Sequence, residues 1–144
     1  MLALVNGWNF RHLDYVLAFA QSPCDSDLYV KIPTGVHVKS SDNEEYFLKL
    51  IKNVDGTKQG SSNWYDMLKN DLIERYFCQS KIDPCLFYSK KCFIITCFDE
   101  YLEFYKDDKA LKELITSLKD IFDLTDEGDL EAHLTTQIEK YGNN

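Results

Sequence analysis

Three carboxylates set the chemistry this chain could carry: the adjacent pair Asp99-Glu100 and the distant Asp14. The pair stands between the apolar, β-branched run from Cys92 to Phe98 and the aromatic-rich run from Tyr101 to Tyr105. Two such runs split by about two polar residues predict a tight β-hairpin with two acids at its tip. For an arbitrary hairpin a solvated turn is the commoner reading of such a pair. Asp14 is the only acid in the mostly apolar run from Asn9 to Phe19, where it is either a satisfied structural partner or a functional group. One Asp on a strand and two acids on a hairpin suit two-metal chemistry, which needs carboxylates held on rigid elements. In a chain with 24 acids spacing alone does not choose between these readings.

The elements that would position the three acids follow from periodicity and punctuation. Leu13, Tyr15 and Leu17 alternate with His12, Asp14 and Val16, as in a mostly buried strand. Turn residues at 21–27 lead to a short strand over Leu28–Ile32, closed by Pro33-Thr34-Gly35, and a polar loop precedes another strand over Tyr46–Ile51. Asn53–Ser62, with two glycines, predicts a loop centred on Lys58 and Gln59. Trp64, Met67, Leu68 and Leu72 recur at helical steps and predict a helix over 63–76, capped by Asn63 and Asp66. A strand pair over Cys85–Tyr88 and Cys92–Phe98 turns at Ser89-Lys90-Lys91. A second helix starts at Asp107-Asp108 and carries the apolar stripe Leu111, Leu114, Ile115, Leu118, Ile121 and Phe122. Asp123–Asp129 predicts an acidic turn, and Met1–Gly7 the capped end of a helix. The order predicts an α+β domain with a mainly antiparallel sheet and helices packed on one face, over 1–140 with a tail at 141–144.

Composition narrows the function classes. With 144 residues and a formal net charge of −8, the chain lacks the basic balance from which nucleic-acid-binding domains draw most of their affinity. That argues against tight autonomous binding, but not against a carboxylate site acting on nucleic acid through metal ions. The five cysteines form no CxxC pair and no zinc-spaced set with histidine, and three of them sit in strand-like apolar runs, which predicts reduced core thiols there and an intracellular setting. No apolar run reaches the roughly 18–20 residues needed to cross a bilayer, and the N-terminus predicts no signal peptide.

Five blocks in order carry a resemblance. HLDYVLAFAQSPCDSDLYVKIPTG (12–35) is similar to a block in which an Asp is followed by Ala-Phe and later by Leu/Ile-Tyr-Met-x-x-Pro-x-Gly. YFLKLIKNVDGTKQGSSNWYDML (46–68) resembles Leu-x-Lys-x-Leu-Tyr-Gly-x-Lys-Gln-Ala running into a Trp-led helix. QSKIDPCLFY (79–88) resembles Ser-x-x-Asp-x-Cys-Leu-Phe, and ITCFDEYLEF (95–104) stands in the place of a Tyr-Val-Asp-Asp hairpin. LTDEGDLEAHLTTQIEK (124–140) resembles a segment closing in Leu-Gly-Ile/Val. Together they make the chain resemble the reverse transcriptase of copia-type LTR retrotransposons, an RNA-directed DNA polymerase within a pol polyprotein.

The resemblance implies a palm-like sheet with the fingers incomplete and the thumb and RNase H regions absent. It implies that Asp14, Asp99 and Glu100 hold two Mg²⁺ ions, with Mn²⁺ as a substitute, and are the catalytic residues. Phe19 matches the aromatic that excludes a ribose 2′-hydroxyl, and Lys58 and Gln59 match a Lys-Gln pair that helps set the template–nucleotide site. The partners implied are an RNA or DNA template-primer and deoxynucleoside triphosphates, with no membrane, in a cytoplasmic particle or the nucleus. A primer 3′-hydroxyl would attack the nucleotide α-phosphate, one ion activating it and the other neutralising the triphosphate.

Four departures qualify this. Glu100 stands where the family has Asp, and its extra methylene moves the carboxylate by roughly 1.5 Å; misplacement of about 1 Å can cost about 100-fold in rate. Val54-Asp55-Gly56 replaces Leu-Tyr-Gly, and Ser62 stands where an Arg is expected. Leu134-Thr135 replaces the closing Leu-Gly, in the region of the primer grip. The chain begins about a dozen residues before Asp14, so the basic fingers segment would lie upstream. A weak or lost activity is the expectation, and a non-catalytic relic or co-opted protein-interaction domain is the alternative.

Overall fold

The computed structural model describes residues 8–37, 46–97 and 100–129, together with the backbone at 132–133 and 136–137. The predicted helix end at 1–7, part of the loop at 38–45, Phe98, Asp99, Leu134-Thr135 and the tail lie outside these residues. Chain order is β1 (Asn9–Tyr15), α1 (Ala18–Gln21), β2 (Tyr29–Lys31), β3 (Phe47–Lys49), α2 (Lys58–Glu74), β4 (Cys78–Gln79), β5 (Leu86–Tyr88), β6 (Cys92–Cys97), β7 (Glu100–Tyr105), α3 (Asp108–Lys119), β8 (Leu124–Asp129), β9 (Ala132–His133) and β10 (Thr136–Gln137).

Six strands form one sheet in the order β4-β5-β6-β7-β1-β8, and every neighbouring pair is antiparallel. Two short ribbons, β2-β3 and β9-β10, stand apart from it. Alternation along β1 explains its central place. Leu13 and Tyr15 are buried in the main core with Trp64, Leu68 and Leu72 of α2 and Leu111, Ile115 and Leu118 of α3. Phe10, on the opposite face, joins a smaller cluster with Leu102, Ile95 and Phe104. The sheet is thus covered by helices on one face, as the sequence predicts, and that face holds the larger cluster of buried residues. Tyr15, Trp64 and Phe122 meet edge to face at its centre, with ring centroids 4.9–5.6 Å apart; such contacts add to the area term.

The helices are held to each other as well as to the sheet. Arg75 at the end of α2 pairs with Asp71 at 2.6 Å and donates to the Ser117 carbonyl of α3 at 2.9 Å. Asp107 caps α3, its carboxylate accepting from the Lys109 amide at 2.9 Å. That cap satisfies a donor with no partner inside the helix.

Several sequence expectations are corrected. α2 begins at Lys58, not Asn63, with Thr57 as its flanking residue. Gly60 reads as loop punctuation, yet it is a buried helical position where an added Cβ would lie 2.7 Å from Thr57 Oγ1, so close approach explains the glycine. Asn63 is no cap; its amide donates to the Asp25 carboxylate at 2.9 Å. The segment 124–129 is a strand, because β1 offers it a pairing edge and Arg11 a partner for Asp126 at 2.6 Å; tertiary pairing overrides weak strand propensity. The strand from Asn9 stops at Tyr15, where Leu17 adopts a left-handed backbone (φ 49°) and turns the chain into α1. Ile121 lies beyond α3 and is exposed.

Candidate carboxylate site at the end of the sheet

The site is built on three antiparallel strands. The β6–β7 ladder closes at Cys97↔Glu100, leaving residues 98 and 99 between the strands. Glu100 is therefore the first residue of β7 and not, with Asp99, the tip of the hairpin. The β1–β7 register sets Asp14 directly opposite Glu100, and the β1–β8 register sets Asp14 opposite Thr125. Directly opposed residues have Cα atoms roughly 4.5–5.5 Å apart. Two acids separated by more than eighty positions in sequence thus share one row at one end of the sheet. Asp99 is next to Glu100 in the chain and falls outside the described residues.

The strand end that carries Asp14 is fixed by backbone and side-chain bonds. The Val16 amide donates to the Asp123 carbonyl at 2.9 Å. Gln21, from α1, donates its amide nitrogen to the carbonyls of Val16 and Asp123, both at 2.7 Å, and accepts from the Asp123 amide at 2.8 Å. This brace joins the chain just after Asp14 to the start of β8. Asp14 itself is half-buried.

The other candidate residues sit apart from this row. Phe19 is half-buried and packs against the main core from α1. Lys58 and Gln59 are exposed in the first turn of α2, a helical position instead of a loop centre.

Carboxylate oxygens are the hard donors that Mg²⁺ and Mn²⁺ take, and the row Asp14↔Glu100 brings two acid-bearing positions within one inter-strand spacing. In donor type, and in the backbone register of Asp14 and Glu100, these residues fit a divalent ion. Among the described residues no group of three His, Cys, Asp or Glu forms a metal-binding cluster.

Sequence reasoning missed two features. Glu103, in the middle of β7, is fully buried on the helix-covered face, and neither carboxyl oxygen has a partner at hydrogen-bonding geometry. Burial pushes its pKa up to about 8, the Cys92 thiol offsetting part of the effect and Asp126 adding to it. Burial likewise pushes the Cys92 thiol up to about 12 and raises the Tyr15 hydroxyl. On the neighbouring edge, the hydrogen bond from Arg11 holds Asp126 below the usual carboxylate range. The second missed feature is the buried polar pair Ser22 and Asn53, for which a glycine- and polar-rich loop gave no signal. Cys24, Cys78, Cys85 and Cys92 are free thiols, as the sequence predicts.

The family model for reverse transcriptase (RNA-dependent DNA polymerase) matches residues 1–144. The Transposon Ty1-NL2 Gag-Pol polyprotein of Saccharomyces cerevisiae is 31% identical over 123 residues, which are 85% of this chain and 7% of that protein. The Truncated transposon Ty1-A Gag-Pol polyprotein of the same yeast is 30% identical over 123 residues, 85% of this chain and 10% of its own length. The chain therefore spans about a tenth or less of these polyproteins. No solved structure matches. Among the described residues no helix is long and apolar enough to cross a membrane. The chain belongs to the reverse transcriptase (RNA-dependent DNA polymerase) family, as a copia-type retrotransposon fragment.

Proposed function

We propose that this chain is the palm portion of an RNA-directed DNA polymerase, with residues 1–140 forming one domain and Asp14, Asp99 and Glu100 forming its divalent-metal site. The observation that carries the reading is the register: Asp14 stands opposite Glu100 at the end of the sheet. The family supplies the reaction class, template-directed addition of a deoxynucleotide to a primer 3′-hydroxyl.

In this reading the chain's own residues do three things. Asp14 and the hairpin acids hold charge at the sheet end, and the Gln21 brace keeps Asp14 from shifting as that charge is loaded. Phe19 limits the space beside the nucleotide sugar, which favours a deoxyribose. Lys58 and Gln59, on the first turn of α2, meet the template–nucleotide pair. Two bound Mg²⁺ ions would supply activation of the primer hydroxyl and neutralisation of the leaving pyrophosphate. Acids and a lysine so placed would give the site both the electrostatics and the positioning that phosphoryl transfer draws on.

Glu100 is one methylene longer than the Asp the family carries there, and the acidic chain has little to hold a polyanionic template. Incorporation by the isolated chain is therefore weak or absent. The test is primer extension on an RNA template with Mg²⁺ and with Mn²⁺, comparing the chain, its Glu100→Asp variant and the Asp14→Ala/Asp99→Ala double variant. Extension above the double variant, raised by Glu100→Asp, supports the polymerase reading. Extension no greater than the double variant in either chain, even with fingers supplied upstream, favours the relic or interaction-domain reading.

A further inference from the structure

Ser22 and Asn53 are buried polar residues on two separate loops, 0% and 1% exposed; Ser22 is bonded toward one candidate nucleotide-contacting segment, and Asn53 lies in the loop that opens the other. On one side, the Ser22 amide and hydroxyl both donate to the Phe19 carbonyl, at 3.2 and 2.9 Å, and so close α1. On the other, Asn53 precedes the turn that opens α2. The Val54 carbonyl accepts from the Thr57 amide at 3.3 Å and its hydroxyl at 2.8 Å. A Cβ built on Gly60 would lie 3.5 Å from Asn53 Cβ, so the first turn of α2 rests on this loop.

The two loops meet through Asn53. Its backbone amide donates to the Ser22 carbonyl at 3.2 Å. Its side-chain nitrogen donates to Ser22 Oγ at 2.9 Å and to the Pro23 carbonyl at 2.8 Å. The Lys52 ammonium adds a bond to the Gln21 carbonyl at 2.7 Å. A bonded path therefore runs from the Phe19 carbonyl through Ser22, Asn53 and Val54 to Thr57, the residue before Lys58. A buried amide has to recover its lost hydration, and Asn53 recovers it on the nitrogen, whose acceptors all lie on the loop that follows Phe19; its Oδ1 finds no partner.

We infer that Ser22 and Asn53 form a clamp that fixes the separation between Phe19 and the Lys58–Gln59 turn, and that both are positioning residues for the deoxynucleotide. The clamp is a statement about this chain's structure; its consequence for nucleotide choice rests on the proposed function. Asn53→Ala removes the donor, Asn53→Asp keeps the shape and turns the donor into an acceptor, and Ser22→Ala removes the hydroxyl alone as a milder change.

The experiment has two arms on the full chain. Hydrogen exchange followed by mass spectrometry reads residues 17–22 and 57–62 together, with β6 and α3 as internal controls. Both segments should gain exchange by about tenfold in Asn53→Ala and Asn53→Asp, the loss of roughly one buried hydrogen bond, while β6 and α3 stay unchanged. Ser22→Ala should shift both segments in the same direction by less. Exchange that rises in one segment only, in neither, or equally across the whole chain overturns the clamp. The second arm measures equilibrium affinity for a deoxynucleoside triphosphate against its ribonucleotide in Mn²⁺, and KM against kcat where extension is measurable. Asn53→Ala should narrow the deoxy-over-ribo preference, raise KM and leave kcat within about threefold; an unchanged preference overturns the positioning role. A wild-type chain that binds neither nucleotide overturns the proposed site, while the exchange arm still decides the clamp.

Discussion

Glu103 gives the sharpest physical prediction. Its carboxyl is enclosed between the sheet and the helices and lacks a hydrogen-bond partner, so the folded chain holds its proton up to about pH 8. The unfolded chain releases that proton near the ordinary value of 4.5. Protonation therefore favours the fold: the contribution is fully present below pH 4.5 and is lost as pH rises toward about 8. At about 1.4 kcal/mol per pH unit, the whole interval amounts to at most about 5 kcal/mol, with about 3 kcal/mol already lost at pH 7. Against a typical domain stability of roughly 5–15 kcal/mol this is a large fraction. The perturbation is Glu103→Gln, which keeps the shape and cannot titrate. The assay is urea unfolding of both chains at pH 5, 6, 7 and 8. The stability gained by the substitution should grow with each step, while Asp126, held below the usual carboxylate range, and Tyr15 and Cys92, both raised by burial, stay largely in one protonation state across this window. A difference that stays flat from pH 5 to 8 would refute a neutral buried Glu103.

Three further outcomes follow from the same structure. Arg11→Ala breaks the two-pronged contact with Asp126, at 2.6 and 2.9 Å, and should cost about 1 kcal/mol at neutral pH in a thermal melt. Because the folded pKa of Asp126 is lowered, that contribution is present above the ordinary carboxylate range and fades as pH falls through the lowered value; loss at high pH instead would be inconsistent. Trp64→Ala empties the edge-to-face cluster under β1 and should cost about 3–5 kcal/mol, read by denaturant unfolding. Glu100→Asp should leave stability within about 0.5 kcal/mol while raising any metal-dependent primer extension.

Most of the fold is legible in the sequence, for reasons that differ by element. The stripe Leu111, Ile115 and Leu118 and the Asp107 cap announce α3, because amphipathic spacing and capping are local signals. The β6–β7 hairpin is equally local. What the sequence hides is set by distant partners. The segment 124–129 reads as an acidic turn and becomes a strand only because β1 has a free edge and Arg11 a charge to meet. The first turn of α2 reads as a loop because Gly60 serves a close approach invisible in one dimension. Glu103 sits in an aromatic run, YLEFY, where an acid reads as the outward position of an alternating strand, yet the register turns it inward. At the site, Asp14 and the hairpin acids are recognisable as candidates, but that Asp14 opposes Glu100 needs the register.

The claim that Asp14 and the hairpin acids share one divalent ion site can be tested without any catalytic turnover. Fe²⁺ takes the place of Mg²⁺ at carboxylate sites, and with ascorbate and peroxide it cleaves the backbone beside the ion. The fragments, mapped by mass spectrometry, should report paired cuts next to Asp14 and at 97–101, competed by Mg²⁺ and lost together in Asp14→Asn/Asp99→Asn. Cuts confined to other acidic stretches such as 107–108 or 123–129, or cuts near residue 14 that survive the double substitution, would contradict the account.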